Sequence, residues 1–173
     1  MSNYKERLVS INTFIFDYDG VLSDGSIITL DDGEAYRTTN VKDGYALQLA
    51  IKKGYRVVVI SGARANCMIH RLTALNITEY FLGIENKMEV FQKYLADHKI
   101  ASDSVLYMGD DIPDYEVMKA SGISACPADA AEEIKKISSY ISPFSGGKCC
   151  VRDVIEQVMK VQGKWMNQDA FHW

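Results

Sequence analysis

The chain has 173 residues, of which 47% are hydrophobic and 24% are charged, proportions that are usual for a globular domain with a buried core. A formal net charge of −4 argues against a nucleic acid or an anionic membrane surface as a partner. No apolar run reaches the roughly 18–20 residues that span a bilayer, and the N-terminus lacks the apolar core of a signal peptide. We therefore expect a single domain, residues 1–173, in the cytoplasm, without a membrane partner.

The first predicted strand, residues 11–16, is an apolar run that leads directly into two carboxylates, Asp17 and Asp19. Continuous apolar runs of this length are typical of parallel strands that are covered on both faces. Residues 27–38 follow and predict a β-hairpin with its turn centred on an Asp-Gly pair. With about a dozen residues, this hairpin is too small to be an independent cap domain.

Beyond the hairpin, strand and helix patterns alternate. Strands are predicted at 56–60, 105–108 and 123–125, and helices at 43–53, 68–75, 87–97, 115–120, 130–136 and 151–158. Repeated βα units predict a doubly wound, Rossmann-like α/β fold with a parallel sheet and right-handed crossovers. Residues 163–173 form a tail with both tryptophans and one phenylalanine, and these rings must pack on their own domain or on a neighbouring subunit.

The four cysteines, Cys67, Cys126, Cys149 and Cys150, lack C-x-x-C spacing, and the three histidines do not cluster with them. This spacing argues against a zinc site. In a reducing compartment we expect free, partly buried thiols.

Three further motifs are expected at the carboxyl ends of the strands, where groups from parallel strands converge. Ser61 and Gly62 end a buried strand, and a hydroxyl beside free amides at a helix start suits a phosphate. An N-cap serine has the same pattern and stays an alternative. Lys87 stands where a helix is predicted to begin, on the unfavourable end of the helix dipole, although a lone lysine there is also typical of a solvated surface.

The third motif places three acidic residues, Asp110, Asp111 and Asp114, within five positions after an apolar strand and Gly109. Like charges this close repel one another unless a cation compensates them. Oxygen ligands favour Mg²⁺ over softer metals, so the motif indicates a Mg²⁺ cofactor. The alternative is an acidic helix N-terminus, which is credible for Asp114 and poor for Asp110.

An aspartate pair, a serine, a lysine and a second acidic cluster, in this order on successive strands, resemble the haloacid dehalogenase superfamily of phosphotransferases. The resemblance covers nearly the whole chain. It implies that Asp17 is the nucleophile and that Asp19 is the general acid and base. It also implies that Ser61, Gly62 and Lys87 bind the phosphoryl group, with Lys87 as a catalytic charge.

The same resemblance implies how Mg²⁺ is held. Asp17, the backbone carbonyl of Asp19 and Asp110 would be its ligands. Asp111 or Asp114 would act directly or through water.

Residues 17–25, the hairpin, residues 40–45 and residues 145–153 resemble a narrower group within this superfamily. These are small phosphatases without a large cap domain, which release phosphate from 3-deoxy-D-manno-octulosonate (KDO) 8-phosphate, a sugar-acid phosphate used in lipopolysaccharide synthesis. Their tetramers bring hairpins together, and residues of a neighbour close each site. The resemblance therefore implies a homotetramer with a small-molecule substrate.

Two departures keep the sugar phosphate open. The chain has Lys148 followed by Cys149, where the group commonly has a glycine after the basic residue. It also has Ala63 and Arg64 after Ser61 and Gly62, where relatives often have an arginine directly or a Gly-Arg pair. Both positions are expected near the substrate entrance. A nine-carbon sugar-acid 9-phosphate or another sugar phosphate is thus an alternative.

Lys42, Arg64 and Lys148 are candidates for binding the substrate carboxylate, and Asp43 is a further substrate-binding candidate. Surface charge explains each of these cations equally well.

A phospho-receiver switch also combines Mg²⁺, an aspartate and a lysine, but its acceptor aspartate lies on a middle strand. Here the aspartate pair follows the first strand and the second acidic loop lies late in the chain, so this alternative is disfavoured. An inactive homologue is disfavoured because all four motifs are present.

Overall fold

The computed structural model describes residues 4–172, with Asp169 described by its backbone alone. Its eight strands are, in chain order, β1 Thr13–Phe16, β2 Ile28–Thr29, β3 Ala35–Tyr36, β4 Arg56–Ser61, β5 Glu79–Leu82, β6 Val105–Met108, β7 Ile123–Cys126 and β8 Tyr140–Ile141. Six of them form one parallel sheet in the order β5–β4–β1–β6–β7–β8. Strand β1 is therefore central, and the chain order reverses on either side of it.

The helices are α1 Tyr4–Arg7, α2 Val41–Lys52, α3 Asn66–Ala74, α4 Lys87–His98, α5 Tyr115–Ala120, α6 Glu132–Ile137 and α7 Cys150–Val161. Short 3₁₀ turns lie at Leu8–Ser10, Ser102–Ser104, Ile112–Asp114 and Gln168–Phe171, and an irregular turn lies at Tyr18–Leu22. No helix within residues 4–172 combines the length and the apolarity needed to cross a membrane.

The sheet is covered on both faces, as its apolar strands require. In β1, Phe14 and Phe16 pack into a core with α2, α3 and α7, whereas Ile15 packs into a second core with α4, α5 and α6. Successive side chains of a strand point to opposite faces, so a strand between two helical layers needs apolar residues throughout. The predicted doubly wound α/β fold class is confirmed.

Strands β5 and β8 lie outside the predicted strands. They form the two outer edges of the sheet, where β5 is only half-buried and β8 has two residues. Neither position demands the continuous apolar run that marks the inner strands, so the sequence pattern does not reveal them.

Strands β2 and β3 form a separate antiparallel hairpin, with Ile28 opposite Tyr36. Its turn is closed by a hydrogen bond from Leu30 N–H to Glu34 O of 2.9 Å, and Gly33 adopts a φ of +86° that favours glycine. Only two residues on each side are paired, fewer than residues 27–38 predict. Within the described part of the chain, no large cap domain accompanies this hairpin.

The C-terminal tail packs in part on its own domain. Trp165 is buried, its ring meets Tyr45 edge-on, and the Arg152 guanidinium lies 5.3 Å from its centroid. Phe171 stays largely exposed. Trp173, the other tryptophan of the predicted aromatic tail, lies outside the described residues.

Candidate active site

A cleft of about 330 Å³ lies at the carboxyl ends of β1, β4 and β6. Its lining includes every residue predicted to act in catalysis, to bind the metal or to bind phosphate: Asp17, Asp19, Ser61, Gly62, Lys87, Asp110, Asp111 and Asp114. The four strand-end motifs, far apart in the chain, therefore meet at one edge of the sheet.

Asp17 continues the central strand into the floor of the cleft. Its N–H donates to Met108 O at 3.0 Å, and its own Oδ1 accepts the N–H of Tyr18 at 2.6 Å. The chain then turns at Gly20, whose φ is +82°. A Cβ on Gly20 would stand 2.0 Å from Asp110 Oδ2, so only glycine allows the two acidic loops to approach this closely.

Three carboxylates crowd together on this floor. Oxygen atoms of Asp17, Asp110 and Asp114 lie within 4.8 Å of one another. Burial and then the charge of Asp114 raise the pKa of Asp17 to about 8 and that of Asp110 to about 7. Such a set of oxygen donors, whose ionisation is disfavoured until a cation arrives, fits Mg²⁺.

Asp111 takes a different position from the other acidic groups. It is exposed, and its Oδ1 accepts the N–H of Ile112 at 2.8 Å, so it caps the 3₁₀ turn that follows. It lines the cleft without joining the three-carboxylate cluster.

Lys87 is the positive charge inside the cluster. It is 6% exposed, and its Nζ lies 3.0 Å from Asp17 Oδ2 and 2.7 Å from Asp114 Oδ1. Burial lowers the pKa of this ammonium, but the adjacent Asp17 and Asp114 raise it, and the net shift is upward. Lys87 therefore stays charged, with its ammonium between Asp17 and Asp114.

Tyr107 completes this network, although its local sequence pattern does not predict a place in the site. It is fully buried in β6, and its hydroxyl donates to Asp114 Oδ1 at 2.6 Å. Burial and then Asp114 raise its pKa well above the usual range, so the hydroxyl keeps its proton. The available signal is a phenol within an otherwise aliphatic strand, three residues before Asp110.

Ser61 ends β4 on the opposite side of the cleft floor. Its Oγ accepts the N–H of Ala63 at 3.2 Å, which fixes the side chain and leaves its proton to donate elsewhere. The buried hydroxyl lines the cleft beside Gly62.

Asp19 is held by Arg37, a residue whose role the local sequence does not predict. Arg37, which follows β3, donates from Nε to Asp19 Oδ1 at 2.8 Å and from Nη2 to Asp19 Oδ2 at 3.0 Å. Ser23 Oγ adds a third bond to Oδ1 at 3.1 Å. Nothing in the local pattern separates Arg37 from an ordinary hairpin cation, because its partner lies 18 positions away.

The three cations predicted for the substrate carboxylate do not line this cleft within the single chain. Lys42, Arg64 and Lys148 are all exposed. Lys148 pairs with Asp24 at 3.2 Å, and Lys42 borders a different cleft at the start of α7. Their part in substrate binding stays a prediction.

Asp43, the remaining substrate-binding candidate, is buried and already bonded. Its Oδ1 accepts the N–H of Arg152 at 2.7 Å, and its Oδ2 accepts the N–H of Cys149 at 3.2 Å. These bonds hold the start of α7.

Cys149 itself has a φ of +83°, which is costly for any residue except glycine. All four cysteines are free, as expected.

Comparison with known proteins agrees with this geometry. The haloacid dehalogenase-like hydrolase family matches residues 83–146. The KDO 8-phosphate phosphatase of Escherichia coli K12 is 36% identical over 155 residues, which cover 90% of this chain and 82% of that protein. The chain belongs to this phosphatase family.

Solved structures of the family superpose closely on the chain. The enzyme from Yersinia pestis gives a TM-score of 0.92 at 32% identity and covers 94% of this chain and 88% of its own. The enzyme from Moraxella catarrhalis, in complex with magnesium, phosphate and KDO, gives 0.91 at 29% identity and covers 99% and 97%. The protein is thus a phosphoric monoester hydrolase. Its three-carboxylate cluster fits a metal ion such as the magnesium in the Moraxella catarrhalis complex.

Proposed function

We propose that the protein hydrolyses KDO 8-phosphate to KDO and phosphate in a Mg²⁺-dependent reaction with an aspartyl-phosphate intermediate. The observation that carries this proposal is the position of Asp17, whose carboxylate meets the buried Lys87 ammonium at 3.0 Å on the floor of an open cleft. The names of the family members in the comparison support the choice of substrate.

In the first step, one Asp17 oxygen attacks phosphorus and forms a new O–P bond while the ester P–O bond breaks. Asp19 donates a proton to the departing sugar oxygen. Lys87 and the Ser61 hydroxyl donate to phosphoryl oxygens, whose negative charge they offset in the transition state. Asp17 and Asp19 lie two residues apart at the strand end, so both reach the same phosphoryl group.

In the second step, water attacks the phosphorus of the aspartyl phosphate. Asp19 accepts the proton of this water, the bond between Asp17 and phosphorus breaks, and inorganic phosphate and the free carboxylate result. Asp17, Asp110 and the Asp19 carbonyl would hold Mg²⁺, with Asp114 or Asp111 assisting. When bound, the ion supplies positive charge beside the reacting phosphoryl group.

The proposal includes a cytoplasmic homotetramer that assembles through the hairpin. Ile27, Ile28, Leu30 and Tyr36 expose apolar side chains around the hairpin, as a surface that pairs with another copy would. A neighbour contributing to each site would bring substrate-binding cations that a single chain does not place in its cleft. Light scattering of the wild type and of Ile28→Lys checks this part, and a monomeric wild type contradicts it.

A phosphate-release assay with Mg²⁺ tests the main proposal. The panel contains KDO 8-phosphate, a nine-carbon sugar-acid 9-phosphate and several aldose phosphates. We expect the highest kcat/KM with KDO 8-phosphate. Preference for another ester overturns the substrate assignment, and no release from any ester by the metal-loaded wild type overturns the phosphatase assignment.

A further inference from the structure

The proposed function gives Asp19 a role in catalysis but gives none to Arg37, its ion-pair partner. The Arg37 side chain is only 5% exposed, whereas that of Asp19 is 27% exposed. Two of the guanidinium nitrogens bond the two carboxylate oxygens, and Nη1 donates to Ala35 O at 3.2 Å. A buried cation with each of these nitrogens bonded is a built feature of the site and not a solvated surface charge.

A bidentate pair fixes more than the position of one atom. Because the guanidinium is planar, two parallel hydrogen bonds set both the plane and the direction of the carboxylate. The bond from Ser23 Oγ to Asp19 Oδ1 adds a second restraint from the residue that ends the turn after β1. Without Arg37, the Ser23 bond to one carboxylate oxygen would be left to hold the Asp19 side chain, and a single bond does not fix the plane of the carboxylate.

The hairpin that carries Arg37 is itself attached to the domain. Asn66 Nδ2 donates to Glu34 Oε1 at 2.9 Å, and Cys67 Sγ donates to Ala35 O at 3.4 Å. Both donors lie in the first turn of α3. The Arg37 guanidinium therefore links Asp19 to a hairpin that the body of the domain supports.

We propose that Arg37 is a positioning residue that holds the Asp19 carboxylate on the leaving-group side of the cleft. This inference rests on the proposed function, because it requires Asp19 to exchange a proton with the departing oxygen. A sugar alkoxide needs that proton in order to leave, whereas p-nitrophenolate is a stable anion and leaves without it. Loss of Arg37 should therefore slow the first step with sugar esters and spare it with aryl esters, whereas hydrolysis of the aspartyl phosphate is common to both.

The test compares KDO 8-phosphate with p-nitrophenyl phosphate in the Mg²⁺-loaded full-length protein. For Arg37→Met we expect kcat/KM, which reports the first step alone, to fall about 10²-fold with the sugar ester and less than about threefold with the aryl ester. Arg37→Lys keeps the charge and loses the fork, so it should show the same split with a smaller loss. Arg56→Met, which removes an exposed arginine paired with Glu79, is the matched control and should leave both rates unchanged.

A double variant connects the effect to Asp19. If Arg37 acts by holding Asp19, then adding Arg37→Met to Asp19→Asn should lower kcat/KM with the sugar ester no further. Equal losses of kcat/KM with the two esters, no loss with either, or additive losses in the double variant each overturn the positioning role. Failure of the proposed function is a different result that the wild type shows by itself, either as no phosphate release from any ester or as a preference for an ester other than KDO 8-phosphate.

Discussion

The floor of the cleft and its hairpin side are supported in different ways. On the floor, Asp17, Lys87, Asp114 and Tyr107 are all less than a tenth exposed, and each is attached to the central sheet or to a helix packed on it. On the hairpin side, Asp19 depends on Arg37, which follows a strand of only two residues. In the proposed function, the part that binds the phosphoryl group is therefore fixed by the core, and the part that faces the leaving group is held by the hairpin.

In the proposed function, this difference separates phosphoryl transfer from the choice of substrate. Groups on the floor form a chain of charged hydrogen bonds from Tyr107 through Asp114 and Lys87 to Asp17. In such a buried network, removal of one partner leaves another uncompensated.

The largest effect is expected at the nucleophile. Asp17→Asn should lower phosphate release at least about 10³-fold with every ester, because an amide cannot form the aspartyl phosphate. The raised pKa of Asp17 shows that its charge is disfavoured in the fold, so the variant should melt no earlier than the metal-free wild type. Enzyme assays and circular dichroism check both points. Near-normal turnover in a verified variant would remove Asp17 from its role.

Removal of Mg²⁺ should abolish turnover and reveal the repulsion on the floor. Folding raises the pKa of Asp17 from 3.8 to about 8 and that of Asp110 from 3.8 to about 7. At pH values between 3.8 and these raised values, the folded metal-free protein therefore binds more protons than the unfolded chain. Its melting temperature in EDTA should therefore fall as pH rises from about 5 to 8. Added Mg²⁺ should raise the melting temperature most at pH 8.

The control for this pH dependence is Asp110→Asn, which should flatten the melting profile in EDTA and weaken the response to Mg²⁺. A metal-free wild type that becomes more stable from pH 5 to 8 contradicts the prediction.

A smaller effect is expected from Tyr107→Phe, which removes one hydroxyl from the floor. A lost hydrogen bond to a charged group corresponds to about a tenfold fall in kcat. The fall should be equal for sugar and aryl esters, because Lys87 acts on the phosphoryl group. Tyr94→Phe, the same change two helical turns from Lys87 along α4, is the control. An ester-dependent loss in Tyr107→Phe would erase the distinction between the two sides.

The smallest effect concerns the loop behind the hairpin side, where Cys149 has a φ of +83°. Glycine adopts this conformation without strain, so Cys149→Gly should relieve about 1–2 kcal/mol and lose part of it to chain entropy. We expect the melting temperature to rise by about 1–3 °C with unchanged kcat. A lower melting temperature would show that the thiol contributes more than the strain costs.

The sequence by itself determined the fold class and the edge of the sheet at which the site lies. Apolar runs such as Val105–Met108 pack well only as strands buried on both faces, and the ends of parallel strands necessarily share one edge. That constraint places Asp17, Ser61 and Asp110 together without any knowledge of side-chain contacts.

Only the tertiary structure decided how these groups are held. Tyr107 and Arg37 have ordinary local patterns, and their roles arise from contacts with residues 7 and 18 positions away. Asp43, whose part in substrate binding stays a prediction, caps the start of α7 from more than a hundred positions away. Periodicity reports which face of an element is buried, but hydrogen-bond partners depend on how turns bring distant elements together.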